Sequence, residues 1–357
     1  MRLLLAAGFL LATAPAFAAS AIPFHDMIAG TITDYARPKF SAFAGSAATL
    51  RDDVAALCKT PSAANLSAAQ DAFKAAVIGY SEVEFFRMGP LGVDNRLERL
   101  LFWPDAKGIA LRQVQTTLSS KDPTAASADT LKNKSVAVQG FGAVEFLLFG
   151  TGFDDLSSAT GAYRCSFAGA ATTLIAGIAD TLNTEWAADG AGSASDAMLN
   201  PQPTSTDYRT ELEVINKLAG TLSFGNDTIR DQRLSPVLSL TTGTPKPKSA
   251  LFWRSGMTAK ALAANFQGLL DFFNAAKFEP AVAGASGWVA KSIVFEFGGA
   301  IRAANDVPIA ADGPVTDPAG MLGLRQMYVS TGSLDTLDES LSIAMGLSAG
   351  FTSLDGD

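Results

Sequence analysis

Histidine is almost missing from this chain: 357 residues contain one, His25. A single imidazole excludes a His-x-x-x-His zinc helix, a three-histidine metal cage and a two-histidine, one-carboxylate iron site. A Ser-His-Asp or Cys-His apparatus would have to recruit that one residue, which lies near the start of the chain. Cysteine is nearly as scarce, with only Cys58 and Cys165 and no Cys-x-x-Cys spacing. Charged residues make up 17%, below the roughly 25% usual for globular domains. Their balance is acidic, 35 against 27, for a net charge of −8. Such a surface repels phosphates, so nucleic acid is excluded as an expected partner. A Gly-rich dinucleotide fingerprint and a P-loop are also lacking.

Uninterrupted apolar runs are few, and the clearest is N-terminal. Met1-Arg2 precedes the apolar residues 3–11, and Ala16-Phe17-Ala18 follows. One positive charge, a short apolar core and an A-x-A site form a secretory signal peptide over residues 1–18. A transmembrane anchor needs around 20 apolar residues, and this run is shorter and broken by Thr13 and Pro15. No later stretch reads as long and uncharged enough to cross a bilayer. The expected protein is therefore exported to a bacterial periplasm and does not span the membrane once the signal is cleaved. In that oxidising compartment two cysteines form a disulfide or remain two separate buried thiols. Both readings are open for Cys58 and Cys165. A bridge closing a loop of roughly a hundred residues would contribute up to about 4–5 kcal/mol in the chain-entropy account.

What is present in abundance is helical periodicity. Leu66, Ala69, Phe73, Val77 and Tyr80 recur every three or four residues, as do Leu174, Ile178, Leu182 and Trp186. The same spacing joins Tyr208, Leu212, Ile215, Ala219 and Leu222, and again Met257, Ala261, Phe266, Leu269 and Phe273. Trp288, Ile293 and Phe297 mark a further apolar segment, and Leu334, Leu337, Leu341 and Met345 a last helix. Convincing alternating strand runs are absent, so the expected fold class is all-α. Pro38 should kink or interrupt the first helix, and Gly89-Pro90 should stop one that ends near Met88. The Gly-, Ser- and Pro-rich stretch 189–207 divides the chain. It predicts an N-terminal helical domain over 19–190, a linker over 191–206 and a C-terminal helical-bundle domain over 207–357. Two tetrapeptides are alike, Leu101-Phe102-Trp103-Pro104 and Leu251-Phe252-Trp253-Arg254. Nothing around them repeats.

Three stretches carry candidate chemistry. In residues 139–150 one carboxylate, Glu145, sits in an otherwise apolar helix. A buried, unpartnered carboxylate has its pKa raised and costs several kcal/mol, so it calls for an arginine, a donor network, a metal or water. Glu296, among Val294, Phe295 and Phe297, raises the same question. The third cluster holds Tyr80, Glu82, Glu84 and Arg87. On a helix Glu84 lies on one face with Tyr80 and with Arg87, which makes either an ion-pair network or the rim of a polar site. Gly346-Leu347-Ser348-Ala349-Gly350 matches the nucleophile-elbow pattern only formally, because no histidine follows it.

At these residues the sequence resembles the imelysin-like family, also called the insulin-cleaving metallopeptidase family. The likeness runs through Leu57-Cys58, Arg87-Met88-Gly89-Pro90, Phe102-Trp103-Pro104-Asp105, residues 140–150, residues 163–186, residues 346–351 and Asp355-Gly356-Asp357. It implies an exported all-α protein of two helical bundles around an interdomain cleft, associated with bacterial iron uptake. The family signature is Gly-x-His-x-x-Glu. Gly140 and Glu145 match its ends, but Gly142 stands where the histidine belongs. Glycine supplies no ligand, which argues against the metallopeptidase chemistry that the resemblance would otherwise bring.

Three readings follow. The first is a non-catalytic binding or accessory protein in iron acquisition, in which oxygen ligands such as Glu145, Glu84, Glu82 and Tyr80, beside Arg87, Gly140 and Gly142, take a small ligand or an ion. Iron, zinc and calcium are the candidates, with Glu145 and Glu84 the candidate metal ligands. The second is an imelysin-type metallopeptidase. The third is a metal-independent interaction protein that recruits an envelope protein partner through its Phe- and Trp-rich surface.

Overall fold

A computed structural model describes residues 22–308 and 313–347. The signal segment 1–18 and the stretch from Ser348 onward, with most of the elbow-like pattern and the terminal Asp355-Gly356-Asp357, lie outside the described residues. Within them the chain forms helices and short turns and no strand, as the periodicity predicts.

The helices run in order as α1 (Phe24–Gly30), α2 (Arg37–Lys59), α3 (Ala63–Ser81), α4 (Arg96–Leu100), α5 (Ile109–Ser120), α6 (Ala128–Leu131), α7 (Gly140–Phe149) and α8 (Ala162–Ala187). They continue as α9 (Ala194–Leu199), α10 (Glu211–Asp227), α11 (Ser235–Leu238), α12 (Thr258–Ala275), α13 (Phe278–Ala281), α14 (Gly287–Asn305) and α15 (Pro318–Ala344). In the first half α2 packs along α3 and α8. The Cys58–Cys165 disulfide joins the end of α2 to the start of α8 across a Cα separation of 5.4 Å. In the second half α14 lies between α12 and α15, and α15 also packs on α10. The halves meet where α3 packs on α12 and where α1 packs on α10. Buried side chains of both form one contiguous apolar cluster.

Pro38 does not interrupt the first rod. The π-helical segment Thr31–Ala36 joins α1 to α2, and Pro38 falls in the first turn after it, where a missing N–H costs little. The expected linker contains α9, whose Ser195 and Met198 are buried, rather than loop alone. On α8 the core face is carried by Ile175, Ala179, Leu182 and Trp186, while Leu174 and Ile178 are only half-buried. The α8 segment also corrects the reading that no later stretch could cross a membrane. Ala159–Ala187 is long and apolar enough by length and composition, with a mean hydropathy of 1.3. More than half of it is covered by its neighbours.

α15 carries an unexpected core residue. Asp338 is 3% exposed, and neither carboxylate oxygen has a hydrogen-bond partner. One turn earlier Asp335 is engaged by Asn226 and Arg230. Burial, and then the charges of Asp335 and Asp227, push the Asp338 carboxyl well above the usual carboxylate range. The folded state therefore holds a proton that the unfolded chain releases near pH 4, so stability falls as pH rises above that point. An Asp338→Asn variant should match wild type near pH 4 and become progressively more stable above it, by up to about 1.4 kcal/mol per pH unit. Urea unfolding across that range reads the difference; one that does not change with pH would contradict the assignment.

Candidate functional site

α7 starts and is placed by a glycine. Gly140 has φ +69°, and a Cβ there would lie 2.3 Å from the Leu100 carbonyl oxygen and 2.5 Å from that of Arg99. Only a glycine permits that approach. The next residue, Phe141, packs edge-on against Phe73 and Phe252 at centroid distances of 6.1 and 6.4 Å. One turn further along, Glu145 lies on the same side of the helix.

Glu145 is 5% exposed, and it is partnered. Its Oε1 accepts hydrogen bonds from the Ser255 backbone N–H at 3.0 Å and the Ser255 hydroxyl at 2.9 Å. Its Oε2 lies 4.0 Å from Arg254 Nη1. Burial raises the Glu145 carboxyl above its ordinary value, against the opposing pull of Ser255 and Arg254. The clasp comes from the turn after the second tetrapeptide, in which Phe252 adopts φ +58° and the Met257 N–H donates to the Phe252 carbonyl at 3.0 Å.

Glu145 borders a cavity of about 740 Å³. Both tetrapeptides singled out by sequence line it in full, from Leu101 to Pro104 and from Leu251 to Arg254, as do Phe146 and Tyr328. Trp103 is held in the wall by a 3.0 Å hydrogen bond from its Nε1 to the Gln232 carbonyl. Gly142 also lines the cavity. Unlike Gly140, it has nothing within 4 Å of where a Cβ would stand. The missing side chain therefore leaves open space beside Glu145, and no packing demand explains the glycine.

The remaining sequence candidates do not join this site. The helix expected to end near Met88 stops at Ser81, so Glu82, Glu84 and Arg87 lie in the turns beyond it and share no helical face. Glu84 is drawn instead into a buried clasp. Its Oε2 accepts from Arg233 Nη2 at 2.7 Å and its Oε1 from Asn265 Nδ2 at 2.8 Å. Glu82 pairs with Lys39 at 3.0 Å, and Lys39 also meets Asp271 at 2.6 Å. Tyr80 is fully buried and stacks on Phe141, with centroids 5.1 Å apart. Arg87 lies over the Phe224 ring at 4.0 Å and lines a separate cavity of about 1110 Å³. Glu296 is half-buried on α14. His25 sits in the first turn of α1, 3.5 Å from Glu211.

A metal does not fit this donor set. Among the described residues no three or more His, Cys, Asp or Glu side chains gather in a metal-holding group. Beside Glu145 stands a guanidinium, and the other carboxylate of the cavity wall, Asp105, caps α5 through the N–H groups of Ile109 at 2.6 Å and Ala110 at 3.0 Å. The Glu145–Glu84 ligand pair of the sequence reading therefore does not assemble, because each carboxylate is claimed by a different partner.

One family model matches most of the chain, and two solved structures share its fold. The imelysin (peptidase M75) family profile matches residues 36–335. An imelysin-like protein from Psychrobacter arcticum has a similar structure, with a TM-score of 0.77 and 17% identity over 94% of this chain and all of that one. An iron-regulated protein A precursor from Parabacteroides distasonis aligns with a TM-score of 0.69 and 14% identity, over 90% of this chain and 94% of that one. At these identities the likeness establishes the fold alone. No curated protein sequence matches.

Two outcomes check the site. Gly140→Ala should destabilise the protein by about 1–3 kcal/mol through backbone strain, whereas Gly142→Ala should be neutral or stabilising by up to about 1 kcal/mol; equal effects in thermal unfolding would undo the distinction. Glu84→Gln leaves the Arg233 charge buried without its partner and should cost about 3–5 kcal/mol. A loss below about 1 kcal/mol in urea unfolding would show that the clasp is not structural.

Proposed function

The chain belongs to the imelysin family, and we propose that this protein is an exported, non-catalytic binding or accessory protein of the bacterial periplasm, linked to iron acquisition. Its binding centre is the cavity beside Glu145. The observation that carries this is the state of the signature position: Gly142 opens onto the cavity without a ligand atom, while Glu145 is engaged by Ser255 and faced by Arg254. A hydrolytic metal needs about three protein ligands and an open position for water, and Glu145 has no neighbours that supply them. An aromatic cavity with a few placed polar groups is the usual form of a small-molecule site. Export is supported by the signal-like N-terminus and by a disulfide suited to an oxidising compartment. The link to iron rests on family membership and on the name of the Parabacteroides relative.

Expression in a Gram-negative host, with fractionation and N-terminal sequencing, should place a product beginning at Ala19 in the periplasm, more abundant in its native strain under a ferrous chelator. A cytoplasmic product that keeps Met1 would overturn export, and abundance indifferent to iron would overturn the iron link. Unfolded insulin B chain should stay intact with added Zn²⁺; cleavage abolished by EDTA and by Glu145→Gln would reinstate a peptidase.

A further inference from the structure

The walls of the Glu145 cavity carry three cations, Lys246, Lys248 and Arg254, in a chain whose net charge is −8. None of the hydrogen bonds among the described residues uses their side-chain donors, and the nearest carboxylate approach is the 4.0 Å between Arg254 and Glu145. Neither acid in the wall makes a close ion pair with them: Asp105 is engaged at the N-terminus of α5, and Glu145 accepts from Ser255 and comes no nearer to Arg254 than 4.0 Å.

Aromatic rings hold two of these cations, Arg254 and Lys248, in place. The Arg254 guanidinium lies over Trp253 at 4.4 Å and over Phe146 at 5.5 Å, and Lys248 Nζ lies 5.5 Å from the Trp253 ring. A guanidinium packed against rings keeps its N–H edge available, which is the geometry that grips a carboxylate or phosphate. Removing a guanidinium from water without a paired anion is costly, and burial already lowers the Arg254 pKa. The same wall carries a run of apolar and aromatic side chains, Leu101, Phe102 and Trp103.

We infer that the cavity takes a small organic anion with an apolar or aromatic body, its acidic group held by Arg254 with Lys246 and Lys248 and its body against Leu101, Phe102 and Trp103. This rests on the cavity being the binding centre and adds the chemical class of what binds. The pairing supplies an anion that Lys246 and Lys248 lack among the described residues and gives Arg254 a closer one than Glu145 at 4.0 Å, and the apolar stretch supplies the surface for a body that inorganic phosphate or chloride would leave uncovered.

The test uses the mature protein with three ring-matched probes: naphthylacetate as the anion, naphthylethanol as the neutral control and naphthylethylamine as the cation. Calorimetry, with Trp fluorescence as a second readout, should show naphthylacetate binding about 10-fold or more tighter than naphthylethanol, a tenfold step being about 1.4 kcal/mol, and naphthylethylamine weakest. Arg254→Gln should bring naphthylacetate down to the level of naphthylethanol while leaving naphthylethanol unchanged. If that variant does not fold, the double variant Lys246→Gln, Lys248→Gln changes only exposed side chains and should narrow the preference at least threefold. Glu145→Gln, which keeps an acceptor for Ser255, should tighten naphthylacetate and not naphthylethanol. Equal binding of the three probes, or preference for the amine, overturns the anion assignment while leaving the cavity as a binding centre. No binding of any probe overturns the cavity and the assignment together.

Discussion

The site depends on one demand, that of a carboxylate inside an apolar helix. Glu145 sits among Val144, Phe146 and Leu147, and desolvation alone would expel it or neutralise it. The chain answers with a distant segment. Ser255 brings a backbone N–H and a hydroxyl to the same oxygen, 110 residues away in sequence. To reach it the chain turns at Phe252 with a positive φ, and Phe252 in turn seats against Phe73 and Phe141. That turn leaves Trp253 and Arg254 on the cavity wall. Satisfying a buried carboxyl and building the cavity wall are thus the same event in this fold.

Other buried polar groups are resolved differently. Glu84 has both oxygens engaged, by Arg233 and Asn265, and ties the turn after α3 to the π-helical segment Thr228–Leu234 and to α12. Asn265 also donates to the Ser81 carbonyl at 2.8 Å, closing off the end of α3. This clasp joins the two halves through Arg233 Nη2, while Arg233 Nε and Nη1 are buried without a hydrogen-bond partner among the described residues. Asp338 is the opposite case, a carboxyl buried without partners and held close to neutrality by its surroundings. Of these three carboxyls, only Glu145 combines a partnered oxygen with a place on a cavity wall, which is why it, rather than the richer cluster around Glu84, marks the candidate site.

Much of the fold was legible in advance. The three-four spacing of Leu66, Ala69, Phe73, Val77 and Tyr80 corresponds to a helix in which all five are buried, because burial of one face leaves that period in the sequence. Two cysteines in a chain expected to be exported made a bridge one of two open readings, and the structure forms it. Other features were not legible. Glu84 and Arg87 have helical spacing, yet α3 ends before them, since partners from the second half compete for Glu84. The two Phe-Trp tetrapeptides were visible as a likeness, but nothing local said that they face one cavity.

Composition and periodicity by themselves determined that this chain is helical, acidic and too poor in histidine for nitrogen-rich metal chemistry. These are properties of residue type and spacing, which a linear text preserves. Tertiary structure alone decided which carboxylate faces a cavity, which is closed off by an arginine, and which cations go without a partner. Those outcomes depend on contacts between residues more than a hundred positions apart, such as Glu145 with Ser255 and Glu84 with Arg233. Desolvation sets the requirement at each buried charge, and only the packing of distant helices determines which group meets it.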